Sequence, residues 1–142
     1  MPSKAVILWA EDSDDDALLM QRAFNKAQFS TILMRVQDGC EATSYLLGDG
    51  RYGDRSQFPL PNLLLLDIKM PRMSGFEVLA WKQTRPEFQS LPTVILSSSI
   101  QEEDIKEAYR LGAQQYLMKP AKVEELVEHV KELHKRWSNE LS

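Results

Sequence analysis

Residues 63–75 read LLLLDIKMPRMSG. Four consecutive leucines ending at Asp67 make a run that is short and wholly apolar. Such a run fits a central strand covered on both faces, the habit of parallel sheets, better than a strand with one wet face. Gly75 then opens a helix expected to run to about Thr84. The segment therefore predicts a buried strand, an acidic residue at its carboxyl end and a helix returning over the sheet.

The same alternation extends outward in both directions. Upstream, Pro2, Ser3 and Lys4 lead into residues 5–10 (AVILWA), a buried strand. Ser13 follows as a plausible N-cap. Asp14, Asp15 and Asp16 occupy the first helical turn, where carboxylates suit the positive end of the helix dipole. Leu19, Ala23, Phe24 and Ala27 continue it as a helical stripe. Residues 31–36 read as a second strand and 41–47 as a short helix closed by Gly48. Residues 48–61, rich in Gly, Pro, Asp and Arg, read as a surface loop. Downstream come a fourth strand at 93–96 and a fourth helix at 101–111 with Gly112 as its C′ residue. A fifth strand at 115–118 precedes a last helix at 122–137, with Val123, Leu126, Val127, Val130, Leu133 and Trp137 on one stripe. Five strand–helix units in succession predict an α/β, doubly wound fold: a parallel sheet with helices on both faces. Such folds bind ligands at the carboxyl ends of their strands.

Composition narrows the function. A chain of 142 residues suits one domain with one substantial core, and 43% apolar with 27% charged residues is ordinary for a globular protein. A net charge of −4 without a basic run argues against nucleic-acid binding. The single cysteine, Cys40, cannot form an intramolecular disulfide, and no Cys/His cluster suggests zinc. No run is long enough for a membrane span or a signal sequence, so a cytoplasmic protein is expected.

In a parallel sheet the strand ends share one edge. Glu11 and Asp12 follow the first strand, Asp67 the third, Ser97, Ser98 and Ser99 end the fourth, and Lys119 and Pro120 follow the fifth. Taken singly, an acidic pair before a helix is more often a capping cluster, and a Lys-Pro pair more often a turn. Their joint placement at four strand ends is what makes them a site. Three crowded carboxylates raise one another's pKa unless a cation intervenes. A divalent ion with oxygen ligands, magnesium above all, answers that need, and Lys119 adds a fixed positive charge. A carboxylate nucleophile, magnesium and a lysine are the parts that phosphoryl transfer uses.

With VILWAEDSDDD at 6–16, LLLLDIKMPRMSG at 63–75, VILSSS at 94–99 and LGAQQYLMKP at 111–120, the chain resembles the response-regulator receiver domains of two-component systems over essentially its whole length. The resemblance implies the flavodoxin-like receiver fold, strand order 2-1-3-4-5, in a single receiver domain over residues 1–142 without an output domain. It also implies a role for each matching position. Asp67 is the phosphoacceptor. Asp12 ligates magnesium directly, Glu11 through water, and Lys69 offers its backbone carbonyl. Ser97 binds the phosphoryl group and moves on activation, Lys119 pairs with the phosphoryl oxygens, and Tyr116 is the switch aromatic. The peptide bond before Pro120 is expected to be cis. Glu11 stands where Asp is commoner and Ser97 where Thr is commoner. The loop at 48–61 and the Trp137 helix are similar to single-domain regulators associated with bacterial phytochromes.

The implied donor is a sensor histidine kinase or phosphotransfer protein. The implied output is a contact with a downstream protein or onward phosphotransfer, and the face of the fourth helix, fifth strand and fifth helix is the expected contact, also for a homodimer. Catalysis beyond magnesium-dependent self-phosphorylation and slow self-dephosphorylation is not expected. A haloacid-dehalogenase-type enzyme would need a second acid where Lys69 stands. Cys40 reads as inert, Trp81 and Trp137 as packing residues, and His129 and His134 as part of a solvated face.

Overall fold

The computed structural model describes residues 4–141, so Pro2 and Ser3 of the expected lead-in lie outside the described residues. Five strands, β1 (Val6–Ala10), β2 (Ile32–Val36), β3 (Leu63–Leu66), β4 (Thr93–Ser97) and β5 (Gln115–Met118), form one parallel sheet in the order β2-β1-β3-β4-β5. Successive side chains of a strand point to opposite faces, and the leucine run divides accordingly. Leu64 and Leu66 join Leu8, Ala10 and Ile95 in one core, while Leu63 and Leu65 join Ile7, Trp9, Val94 and Leu96 in the other. All four leucines are buried; each such side chain stabilises the fold by about 2 kcal/mol relative to exposure.

Helices α1 (Asp14–Ala27) and α5 (Val123–Arg136) cover one face, through Ala17, Met20, Ala23 and Phe24 against Leu126, Val130 and Leu133. Helices α2 (Gly39–Leu47), α3 (Gly75–Gln83) and α4 (Glu102–Arg110) cover the other, through Tyr45, Leu46, Val78, Leu79 and Ala108. A short α6 (Ser138–Leu141), beyond the elements the sequence predicts, tucks Leu141 into the core beneath α1 and α5. Ser13 caps α1 as expected, its Oγ accepting the Asp16 N–H at 3.2 Å. Ser74 and Glu77 close a reciprocal capping box on α3. Helix α1 ends at Gln28 in the left-handed region, φ 61°.

Three expectations are corrected. Residues 48–61 are more than a surface loop: a 3-10 turn at Gly50–Gly53 buries Tyr52. Its ring packs on Tyr45 and Phe58, with centroids 5.1 Å away in both cases. Arg55 donates to the carbonyls of Tyr45 and Leu46 at 2.8 and 2.9 Å, placing a cation at the C-terminal end of α2. Secondly, His134 does not lie on a solvated face. It stacks on Phe29 at 3.6 Å and bonds the Thr31 hydroxyl at 2.7 Å, and burial holds its pKa below the ordinary value. His129 is half-buried too, its Nδ1 enclosed without a hydrogen-bond partner. Thirdly, no cis peptide bond occurs among the described residues, so the bond between Lys119 and Pro120 is trans, the form that even X-Pro bonds prefer by about 0.5–1 kcal/mol. Trp137 and Trp81 pack as expected, Trp137 also donating its indole N–H to Gln115 at 3.0 Å.

Candidate functional site

Register decides which residues meet. Ala10 pairs with Leu66, so Glu11 and Asp67 each lie one residue past a matched pair on adjacent strands. Ser97 pairs with Met118, so Lys119 emerges beside the end of β4. Backbone bonds hold these ends: Asp67 N–H donates to the Ala10 carbonyl at 3.3 Å, and Lys119 N–H to the Ser97 carbonyl at 2.8 Å. Behind Asp67 the chain turns sharply into α3. A Cβ on Gly75 would lie 2.2 Å from the Asp67 carbonyl oxygen, so only glycine lets the helix approach that closely.

Glu11, Asp12 and Asp67 bring carboxylate oxygens within 4.8 Å of one another. Glu11 is 1% exposed and Asp67 8%, while Asp12 faces solvent. The Lys119 ammonium lies 2.7 Å from Glu11, 2.7 Å from Asp67 and 2.9 Å from Asp16. Its three N–H donors thus have three carboxylate partners. The other Asp67 oxygen accepts the Ile68 N–H at 2.7 Å, and the other Glu11 oxygen the Ser13 N–H at 3.1 Å. Burial pushes the Glu11 carboxyl above its ordinary pKa, and the bond from Lys119 offsets this only in part. Burial works against the Lys119 ammonium as well, but the hydrogen bonds it donates to Asp67, Glu11 and Asp16 outweigh it, and its pKa is raised. Lys119 is a fixed cation.

A second network stands beside the first. Ser97 is buried, and its hydroxyl accepts the Ser99 N–H at 3.2 Å. The Ser99 carbonyl accepts the Tyr116 hydroxyl at 2.9 Å. Ser97 is therefore joined to the carboxylate–ammonium cluster through the Lys119 backbone, and its side chain is engaged by its own loop. Lys69 lies in the turn after β3 with an exposed side chain.

Sequence reasoning missed three partners. Asp16 is a first-turn acid that also sits one turn before Met20 and two before Ala23, on the inward stripe of α1. Arg35 donates to the Glu11 carbonyl and to Asp14, both at 2.9 Å. Asp38, buried at the N-cap of α2, accepts from Arg72 at 2.8 Å, a bond reaching across to the β3–α3 turn.

Chemically the cluster fits a hard divalent cation. Its donors are all carboxylate oxygens, two of them buried and one open to water, which suits an ion that keeps part of its hydration shell.

Comparison with known proteins gives the arrangement a family. Residues 7–131 match the response regulator receiver domain. The chain is 35% identical over 133 residues to the probable methanogenesis regulatory protein FilR2 of Methanothrix harundinacea, covering 93% of this chain and 83% of that one. The crystal structure of RPA3017, a response regulator in red light signaling of R. palustris, superposes with a TM-score of 0.91 at 36% identity, covering 97% of this chain and 96% of that one. The phosphorylated cyanobacterial phytochrome response regulator RcpA follows with a TM-score of 0.85 at 34% identity, covering 95% and 94%. The fold matches the one the sequence implied, and the chain belongs to the response regulator receiver domain family, with a likeness to its phytochrome-associated members.

Proposed function

We propose that the protein takes a phosphoryl group from a phosphohistidine of a sensor histidine kinase or phosphotransfer protein onto Asp67, and signals through a changed protein-binding surface. A carboxylate oxygen of Asp67 forms the new bond to phosphorus. The bond from phosphorus to the donor imidazole breaks, and the imidazole leaves with its electron pair. The single observation that carries this reading is the Lys119 ammonium 2.7 Å from Asp67, beside a three-carboxylate cluster that fits a divalent ion. Charge spreads over the phosphoryl oxygens in such transfers, and a preorganised cation stabilises it. Glu11, Asp12 and Asp67, with the backbone carbonyl of Lys69, would hold magnesium, which when bound neutralises those same oxygens.

The readout follows from the second network. Once Asp67 carries a phosphoryl group, the Ser97 hydroxyl leaves the Ser99 N–H to bond it. The Tyr116 hydroxyl then loses its seat on the Ser99 carbonyl. Both changes bias the surface of α4, β5 and α5 between two arrangements. Ile100, Tyr109 and Met118 are exposed on or beside these elements, which supports a contact there with a downstream protein or a second copy. On this reading the protein acts as a phosphoacceptor in the cytoplasm and turns over no other substrate. The likeness to RPA3017 and RcpA supports a phytochrome-type kinase as donor.

The test is a phosphotransfer profile. Autophosphorylated histidine kinases, phytochrome-type ones included, are mixed with wild type and with Asp67→Asn. Rapid transfer from one kinase to wild type alone is expected. No transfer from any kinase, or equal transfer to the variant, refutes the reading.

A further inference from the structure

We infer that Asp16 is a positioning residue that keeps the Lys119 ammonium in the site when its other two carboxylate partners are engaged, and that it thereby sets the rate of phosphoryl uptake by Asp67. The inference rests on the proposed function for its rate and on geometry alone for its contact.

Lys119 has three carboxylate partners, at 2.7, 2.7 and 2.9 Å. Glu11 and Asp67 belong to the cluster that can hold a cation, and Asp16 does not. A cation in that cluster competes with Lys119 for the oxygens of Glu11 and Asp67. A phosphoryl group on Asp67 converts the carboxylate into an acyl phosphate and moves the negative charge out to the phosphoryl oxygens, so the ammonium must follow it. The first event weakens the bonds to Glu11 and Asp67, the second displaces only the one to Asp67, and neither touches the bond to Asp16.

Asp16 is well placed to be that third bond. Its backbone N–H is fixed by the Ser13 Oγ at 3.2 Å, and the next residue, Ala17, is buried in the core between α1 and α5. The bond therefore ties a flexible four-carbon side chain to a rigid helix on the far side of the site. A charge held in place before reaction costs no reorganisation during it.

The variants are Asp16→Asn and Asp16→Glu, with Asp15→Asn as control. Asp15 is an exposed acid in the same helical turn, so its variant carries the same loss at the helix dipole without the Lys119 contact. Uptake from a small phosphodonor at saturating magnesium is expected to fall about three- to tenfold in Asp16→Asn, as for loss of one partly exposed charge-assisted hydrogen bond. Asp16→Glu recovers most of the rate, and Asp15→Asn keeps it. The second readout needs no phosphorylation. Nitrogen-resolved NMR of the magnesium-loaded protein should show the Lys119 ammonium protons in wild type and lose them in Asp16→Asn. A third is magnesium affinity by tryptophan fluorescence, expected to change less than about threefold, as for a charge outside the ligand set.

An Asp16→Asn protein that takes up phosphoryl at the Asp15→Asn rate overturns the inference. So does a Lys119 signal that survives the substitution, or a loss of magnesium binding large enough to make Asp16 a ligand. If wild type itself takes up no phosphoryl, the proposed function fails, and the NMR comparison still decides the contact.

Discussion

Replacing Lys119 by methionine removes the ammonium that touches Glu11, Asp16 and Asp67 while keeping most of the aliphatic stem. The side chains of Glu11 and Asp67 are 1% and 10% exposed, so water cannot replace the lost charge there. Asp16, at 40%, is screened and adds little. Removing one partner of a buried ion pair costs about 3–5 kcal/mol. Glu11 can take up a proton, since burial already raises its pKa, and this puts the cost at the low end, about 3 kcal/mol. For a chain of this size each kcal/mol moves Tm by about 2–4 °C, so the metal-free variant should melt roughly 6–12 °C below wild type at neutral pH. The sign of the pH dependence follows from Glu11. A carboxyl whose folded pKa is raised destabilises the fold above that pKa and is relieved on protonation. Losing Lys119 raises it further, so the deficit should shrink as pH falls from neutral toward its ordinary 4.5. Magnesium, attracted by the same carboxylates, should narrow the gap at neutral pH. Thermal melts followed by circular dichroism, with chelator and with magnesium, decide the matter. A variant as stable as wild type in chelator, or a gap unmoved by magnesium and by acid, would refute the claim that Lys119 compensates this cluster.

Gly75→Ala places a methyl 2.2 Å from the Asp67 carbonyl oxygen, so it should cost about 2–3 kcal/mol in denaturant melts and slow phosphoryl uptake as well; wild-type behaviour would contradict the close approach. Gln28→Gly relieves the left-handed C-cap of α1 and should stabilise by about 0.5–1 kcal/mol in the same melts. Tyr52→Ala empties the aromatic cluster under the loop at 48–61 and should cost about 3 kcal/mol, whereas a true surface loop would lose almost nothing.

Sequence reading succeeded where one local pattern carried the outcome. The leucine run named a central strand because both faces of β3 are covered, and Asp67, Glu11, Asp12 and Lys119 met because parallel strands share a carboxyl edge. Ser13 was legible as a cap because its partner, the Asp16 N–H, is three residues on. What escaped depends on distant partners. Lys119 reaches Asp16 across 103 positions, and Thr31 finds His134 across the same separation. Arg72 bonds Asp38 across 34. Residues 48–61 look polar because Gly, Pro, Asp and Arg outnumber the two aromatics that decide their packing. A helical wheel would have found Asp16, since an acid on an inward stripe needs a cation. Nothing local announces that Phe29 lies flat on His134.

Incubation with a small phosphodonor and magnesium tests the central claim most directly, with intact mass and peptide mapping as the readout. Wild type should gain one phosphoryl group, mapped to Asp67, and Asp67→Asn should gain none. Wild type that stays unphosphorylated, or an Asp67→Asn protein that gains as much as wild type, would contradict the account.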